Sequence, residues 1–195
     1  MALALLAMAK AVEGPDARAR AIAAARASDL AAFETVMRQY ERMVLVTALR
    51  LVGNMEDAKD VSQEVFLRLY RNLGKVEAES NLQAWLYRVT VNICYDLGRK
   101  RRPSVPMEDV PDPVATGDDP QQSATGAERR RVVQMSLRTL SAKERAALVL
   151  RDLEGLSTEE VARVLGSSEA TVRSQISKAR VKMRDFVERY FRRRV

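Results

Sequence analysis

Residues 103–127, PSVPMEDVPDPVATGDDPQQSATGA, constrain this chain more than any other stretch. They hold five of its six prolines, two glycines and five acidic residues, with no basic and no aromatic side chain. Proline fixes φ and donates no backbone hydrogen bond, so such a run sustains neither a helix interior nor a sheet. Its apolar surface is too sparse to offset the entropy of ordering it. The segment therefore reads as a flexible, acidic, Pro-rich linker, 104–127 once Pro103 is taken as a helix stop, between two small domains. A length of 195 residues accommodates both.

The linker also sorts the charge. Residues 1–102 carry 16 basic and 12 acidic side chains, and residues 128–195 carry 17 and 9. The two halves are thus +4 and +8 around a −5 tether, within an overall +7. Two basic halves point to nucleic acid. Zero His and a single Cys exclude His-based catalysis, a disulfide framework and nearly every common metal centre, so a metalloenzyme or triad hydrolase is a poor fit, and no metal or other cofactor is expected. Met1 to Ala9 is apolar, but no Lys or Arg precedes it and it falls far short of the roughly 20 residues that span a bilayer. No membrane insertion and a cytoplasmic location are expected.

Periodicity and punctuation predict an all-α fold. Leu30, Phe33, Val36, Met37, Tyr40, Val44, Ala48 and Leu51 recur at helical spacing after Asp29, and Gly53 supplies a stop. Asn54 caps a second helix with Glu56 and Asp57 in its first turn and Val61, Val65, Phe66 and Leu69 on its apolar face. Residues 74–81 read as a loop. Leu82, Leu86, Val89, Ile93 and Leu97 mark a third helix that runs into Arg99-Lys100-Arg101-Arg102. The domain over 29–103 thus has three helices, or four if the Ala-rich residues 17–28 of the N-terminal extension (1–28) add one. In the domain over 128–195, Ser141 to Glu144 and Ser157 to Glu160 are Ser-x-x-Glu capping boxes. A short helix after the second box, Gly166, and a further helix capped by Ser168 make a helix-turn-helix.

The last helix leaves Arg173, Ser174, Ser177, Lys178 and Arg180 off its apolar stripe, with Glu169 and Thr171 at its start. A helix fits the major groove, where Arg reads guanine edges and Ser, Thr and Lys add base or phosphate contacts. A solvated basic face is the plain alternative, as a charged tail is for Arg192-Arg193-Arg194. In the first domain Trp85, Tyr87 and Tyr95 interleave with Arg88, Arg99, Lys100 and Arg101, a mixture suited to unstacked bases and a phosphate backbone. Core packing accounts equally well for Trp85, and is expected for Cys94. Asp57, Asp60, Gln63 and Glu64 form an acidic, amide-bearing face on a basic protein, pointing to a protein partner or to a merely solvated surface.

Three stretches together, DAKDVSQEVFLRLYRNL, NLQAWLYRVTVNICYDLGRKRRP and LSAKERAALVLRDLEGLSTEEVARVLGSSEATVRSQISKAR, closely resemble a bacterial RNA polymerase sigma factor of the extracytoplasmic function (ECF) group. The resemblance covers roughly residues 29–103 and 128–188. It implies promoter-specific transcription initiation without catalysis. Asp60, Gln63 and Glu64, with Arg68, would dock on the clamp helices of the largest subunit of core RNA polymerase, and the second domain would approach its flap region. The loop Val76, Glu77, Ala78, Glu79, Ser80 and Asn81, together with Asn92, would capture melted -10 bases, and the last helix would read duplex -35 DNA. An anti-sigma factor is a further implied partner. The sequence departs from the family at Val76, where an aromatic is common, and at Gln175, Ser177 and Lys178, where Arg, a larger side chain and Arg are frequent. Arg to Lys matters where a bidentate contact is made. Two rivals remain: a dimeric helix-turn-helix regulator, which leaves the Asp60 to Glu64 face without a role, and a recombinase using Ser62 or Ser80.

Overall fold

The computed structural model describes residues 30–72, 82–100 and 120–192, all helices and turns without a strand. Residues 1–29, 73–81, 101–119 and 193–195, and with them the N-terminal extension, the expected 74–81 loop and Arg193-Arg194, lie outside them. Three helices build the first half: α1 (Leu30–Val52), α2 (Met55–Asn72) and α3 (Leu82–Lys100). Four build the second: α4 (Pro120–Arg138), α5 (Ala142–Leu148), α6 (Thr158–Leu165) and α7 (Glu169–Arg192).

Local chemistry sets the boundaries. Gly53 takes φ 86°, a left-handed conformation that a side chain disfavours, and returns its N–H to Leu49 O at 2.8 Å. Asn54 Oδ1 then accepts the Asp57 N–H at 2.8 Å, starting α2. Both capping boxes form reciprocally: Ser141 with Glu144 and Ser157 with Glu160. Gly166 at φ 58° ends α6, and Ser168 Oγ accepts the Thr171 N–H to open α7.

The Lys182 ammonium, 2.8 Å from Glu144, and the Ser141 N–H hold the Glu144 carboxyl below its ordinary value. A depressed native value means stability that is complete above the unfolded carboxylate value, about 4.3, and lost as pH falls through the native one. Glu144→Gln is therefore expected to flatten the acid limb of thermal stability. Melts recorded down the acid range check it, and an unaltered limb would refute it.

Two elements depart from the sequence expectation. α4 begins at Pro120, inside the stretch read as linker. Proline is pre-organised for the first helical position, where its missing N–H costs nothing, so here it opens a helix rather than excluding one. Between α5 and α6 the chain widens over Val149–Leu153, with Glu154 N–H bonded to Val149 O at 2.9 Å, five residues back. Val149 and Leu150 are fully buried there.

α1, α2 and α3 pack mutually around Val44, Ala48, Val65, Leu69 and Leu86, all 0% exposed. α7 packs against α4, α5 and α6 through Val172, Ile176 and Ala179. The halves also meet, where the linker composition predicted only a tether: their buried residues form one cluster, and α3 lies on α6. A polar seam flanks that contact. Arg145 Nη1 donates to Leu51 O and Arg138 Nη2 to Gly53 O, both at 2.6 Å, so two arginines of the second half satisfy carbonyls at the end of α1. The Glu154 carboxylate, only 10% exposed, accepts from Arg50 (2.7 Å), Thr47 (2.9 Å) and Tyr87 (3.2 Å). Arg88 Nη2 reaches Arg163 O on α6 at 2.6 Å.

Candidate nucleic-acid interface and partner groove

Amphipathicity fixes the outward face of α7. Once Val172, Ile176 and Ala179 are buried, Arg173, Ser174, Ser177, Lys178 and Arg180 are all exposed. The two arginines are held in place. Arg173 pairs with Glu169 one turn earlier, and Arg180 forks onto Asp152 with Nε at 2.9 Å and Nη2 at 2.7 Å from its two oxygens. That pairing raises the Arg180 pKa above its ordinary value. Thr171 is drawn into the helix start, its hydroxyl 2.8 Å from Ser168 Oγ. Gln175 turns its amide oxygen inward, buried without a hydrogen-bond partner, so it departs from the exposed row on either side.

Arg173, Ser177 and Arg180 also line a concave surface of about 530 Å³ with Arg151, Thr158 and Arg184. The sequence reading missed those last three. Arg184 was legible, because it follows Ser177 and Arg180 by seven and four positions on one helical stripe. Arg151 carried no local signal, since only the wide turn brings it to α7.

On the first half, Asp60 and Gln63 are exposed, and Glu64 is ion-paired with Arg68 at 2.7 Å. Asp57 does not join that face. It is 6% exposed and its carboxylate accepts from Asn54 Nδ2, so it belongs to the start of α2 rather than to a partner surface. Beside Gln63 runs an open apolar groove of about 610 Å³ between α1 and α2, floored by Phe33, Met37, Leu45 and Phe66. Leu67 and Tyr70 stand on its edge, 43% and 54% exposed, with the Tyr70 ring edge-on to Phe33 at 5.2 Å. The sequence reading missed this groove as well, although Leu67 and Tyr70 were visible as apolar residues off the Val61–Val65–Leu69 stripe.

The residues expected to read a melted strand divide into three groups. Val76, Glu77, Ala78, Glu79, Ser80, Asn81 and Arg101 lie outside the described residues. Arg88, Asn92, Arg99 and Lys100 are exposed on α3. Trp85 packs partly against the core, and Tyr87 is buried with its hydroxyl on Glu154. Burial and the Glu154 charge push the Tyr87 pKa up to about 12. Cys94 is buried at 8% exposure, and desolvation raises its thiol to about 12, so it is chemically quiet. Among the described residues no helix is long and apolar enough to cross a membrane.

Known proteins agree with this layout. The family described as Sigma-70 region 2 matches residues 36–103, and Sigma-70, region 4 matches residues 130–183. ECF RNA polymerase sigma factor SigE of Mycolicibacterium smegmatis is 35% identical over 162 residues, 81% of this chain and 62% of that relative's length. ECF RNA polymerase sigma factor SigM of Mycobacterium tuberculosis is 34% identical over 167 residues, 85% of this chain and 82% of the relative. Among solved structures, CnrH in complex with the cytosolic domain of CnrY superposes with a TM-score of 0.63 at 26% identity, covering 86% of this chain and 95% of CnrH. With region 2 in its first half, region 4 in its second and relatives aligned across both, the chain belongs to the ECF RNA polymerase sigma factors.

Proposed function

We propose that this chain binds core RNA polymerase and directs initiation at promoters whose -35 duplex is read by α7 and whose melted -10 strand is read by α3 and the loop before it. The observation that carries the reading is the division of surfaces. A cationic, hydroxyl-bearing helix face stands on one half, and an apolar groove with a polar rim stands on the other. The first has the chemistry of base edges and phosphates. The second has the anatomy of a protein interface, with Asp60, Gln63 and Glu64 beside the groove as the rim that meets the polymerase clamp helices.

Asp57 and Tyr87 leave the working set, because their polar atoms are already engaged inside the protein. Arg173, Ser174 and Ser177 lie nearest the base edges in this reading, with Lys178, Arg180, Arg151 and Arg184 toward phosphates. CnrH is solved in complex with the cytosolic domain of CnrY, which supports regulation by a protein partner, and an anti-sigma factor is the kind of partner we assign here.

Reconstitution with core polymerase and a footprint of the resulting complex test the reading. A footprint by the protein alone on a palindrome, without association to core, would overturn it. Arg173→Ala is expected to weaken binding to the -35 duplex by about 1–3 kcal/mol. An equal loss on scrambled duplexes would demote Arg173 to a phosphate contact.

A further inference from the structure

The α1–α2 groove starts where the N-terminal extension ends. Phe33, Met37, Glu41 and Leu45 line it from α1 at four-residue intervals, the first of them three positions after the helix begins at Leu30. That stripe runs about 18 Å along the helix axis. Phe66 and Leu67 supply the facing wall from α2. An exposed apolar surface with a polar rim marks a site of association. The rim is acidic on balance, with Glu41, Asp60 and Glu64 standing against Lys59 and Arg68.

The extension carries the complementary chemistry. Met1–Ala9, MALALLAMA, contains no polar side chain, and such a run gains by leaving water. Residues 10–28 carry Lys10, Arg18, Arg20 and Arg26 against Glu13 and Asp16, a net charge opposite to that of the rim. As a helix, Met1–Ala9 measures about 14 Å and fits within the stripe. Residues 10–29 are a tether of twenty residues, and Gly14-Pro15 within it gives the chain a place to double back. A coil of that length spans about 25 Å, enough to lay the run anywhere along the groove. The tether also holds the run at an effective concentration in the millimolar range, so that even a weak contact is populated. A second copy is a poorer occupant, because a two-fold pairing of grooves sets Glu41, Asp60 and Glu64 against their own kind.

We infer that Met1–Ala9 docks in the α1–α2 groove of its own chain, as a strap that must leave before the groove takes up core polymerase. The docking rests on the groove and the apolar run. The competition rests in addition on the polymerase role given to the groove above. Apparent affinity for polymerase then falls by the fraction of molecules whose groove stands open, and releasing the strap raises it by the reciprocal.

In the full chain, a benzophenone-bearing phenylalanine analogue in place of Ala4, irradiated at low protein concentration, is expected to crosslink within one molecule to the groove, at Met37 or Leu67 foremost. Leu5→Asp with Leu6→Asp should abolish that crosslink and tighten binding to core polymerase by roughly fivefold. Leu5→Met with Leu6→Met, which keeps the run apolar, should retain both the crosslink and the original affinity. Crosslinks confined to residues outside α1 and α2, crosslinks only between molecules, or a groove crosslink that survives the two aspartates overturn the docking. A groove crosslink lost on Leu5→Asp with Leu6→Asp, but with polymerase affinity unmoved, overturns the competition and places the fault in the polymerase role of the groove rather than in the docking.

Discussion

Leu67→Asp is expected to lower affinity for core RNA polymerase by about 2–4 kcal/mol, roughly thirty- to several-hundred-fold, without changing the melting of the free protein. The two halves of that expectation share one cause. Leu67 is 43% exposed on the edge of the α1–α2 groove, so in the free chain the new carboxylate stays hydrated and little packing is lost. In a complex that fills the groove, the same carboxylate is carried out of water against a mainly apolar lining, with Lys59 the cation among the lining residues. The neighbouring charges act differently. Asp60→Ala with Glu64→Ala removes rim groups, whose contribution lies more in approach rate and salt dependence than in affinity. Titration of labelled core with each variant separates the two, and unchanged affinity in Leu67→Asp would remove the groove from the polymerase interface.

Leu86→Ala is the most damaging single change expected for the fold. Leu86 is 0% exposed on α3, within the core that α3 shares with α1 and α2, and its side chain has no route to solvent into which neighbours could relax. The lost transfer energy and the cavity together cost about 2–5 kcal/mol. For a chain of this size that lowers the melting temperature by about 5–15 °C. Thermal melts of the two proteins measure the difference, and a shift of only a degree or two would mean that α3 is not a central element of the first half. The contrast with Leu67, nineteen positions earlier, shows why an apolar residue is not interpretable from its type alone.

That contrast also marks how far the sequence could be read. Helix ends were legible wherever a side chain or a φ requirement sets them: Gly53, Asn54, the Ser141 and Ser157 boxes, and Gly166 all act through atoms within four residues. The exposed row on α7 was legible for the same reason, since Val172, Ile176 and Ala179 fix which side turns inward. What stayed hidden depends on residues distant in sequence. Asp57 reads as part of an acidic face until the Asn54 amide is seen to hold it inward. Tyr87 reads as a stacking aromatic until Glu154, 67 positions away, accepts its hydroxyl. Pro120 counted toward a linker because composition averages over a window, whereas a helix start needs one proline in one place. The wide turn at Val149–Leu153 has no sequence signature at all: tertiary packing of Val149 and Leu150 selects it over the ordinary helical pitch.

The fork between Arg180 and Asp152 bears on how such a reader helix would respond to ionic conditions. Affinity for DNA draws much of its strength from counterions released as cations neutralise phosphates. A guanidinium that already rests on a carboxylate has less screening to gain from the duplex, and Arg173 on Glu169 is in the same position. Each must exchange one anion for another rather than acquire its first. Non-specific attraction along the genome is thereby blunted, while a site that offers Arg173 and Arg180 well-aimed acceptors still repays the exchange. Internal pairing on the reading face would thus let a strongly basic half ignore most of the DNA it meets.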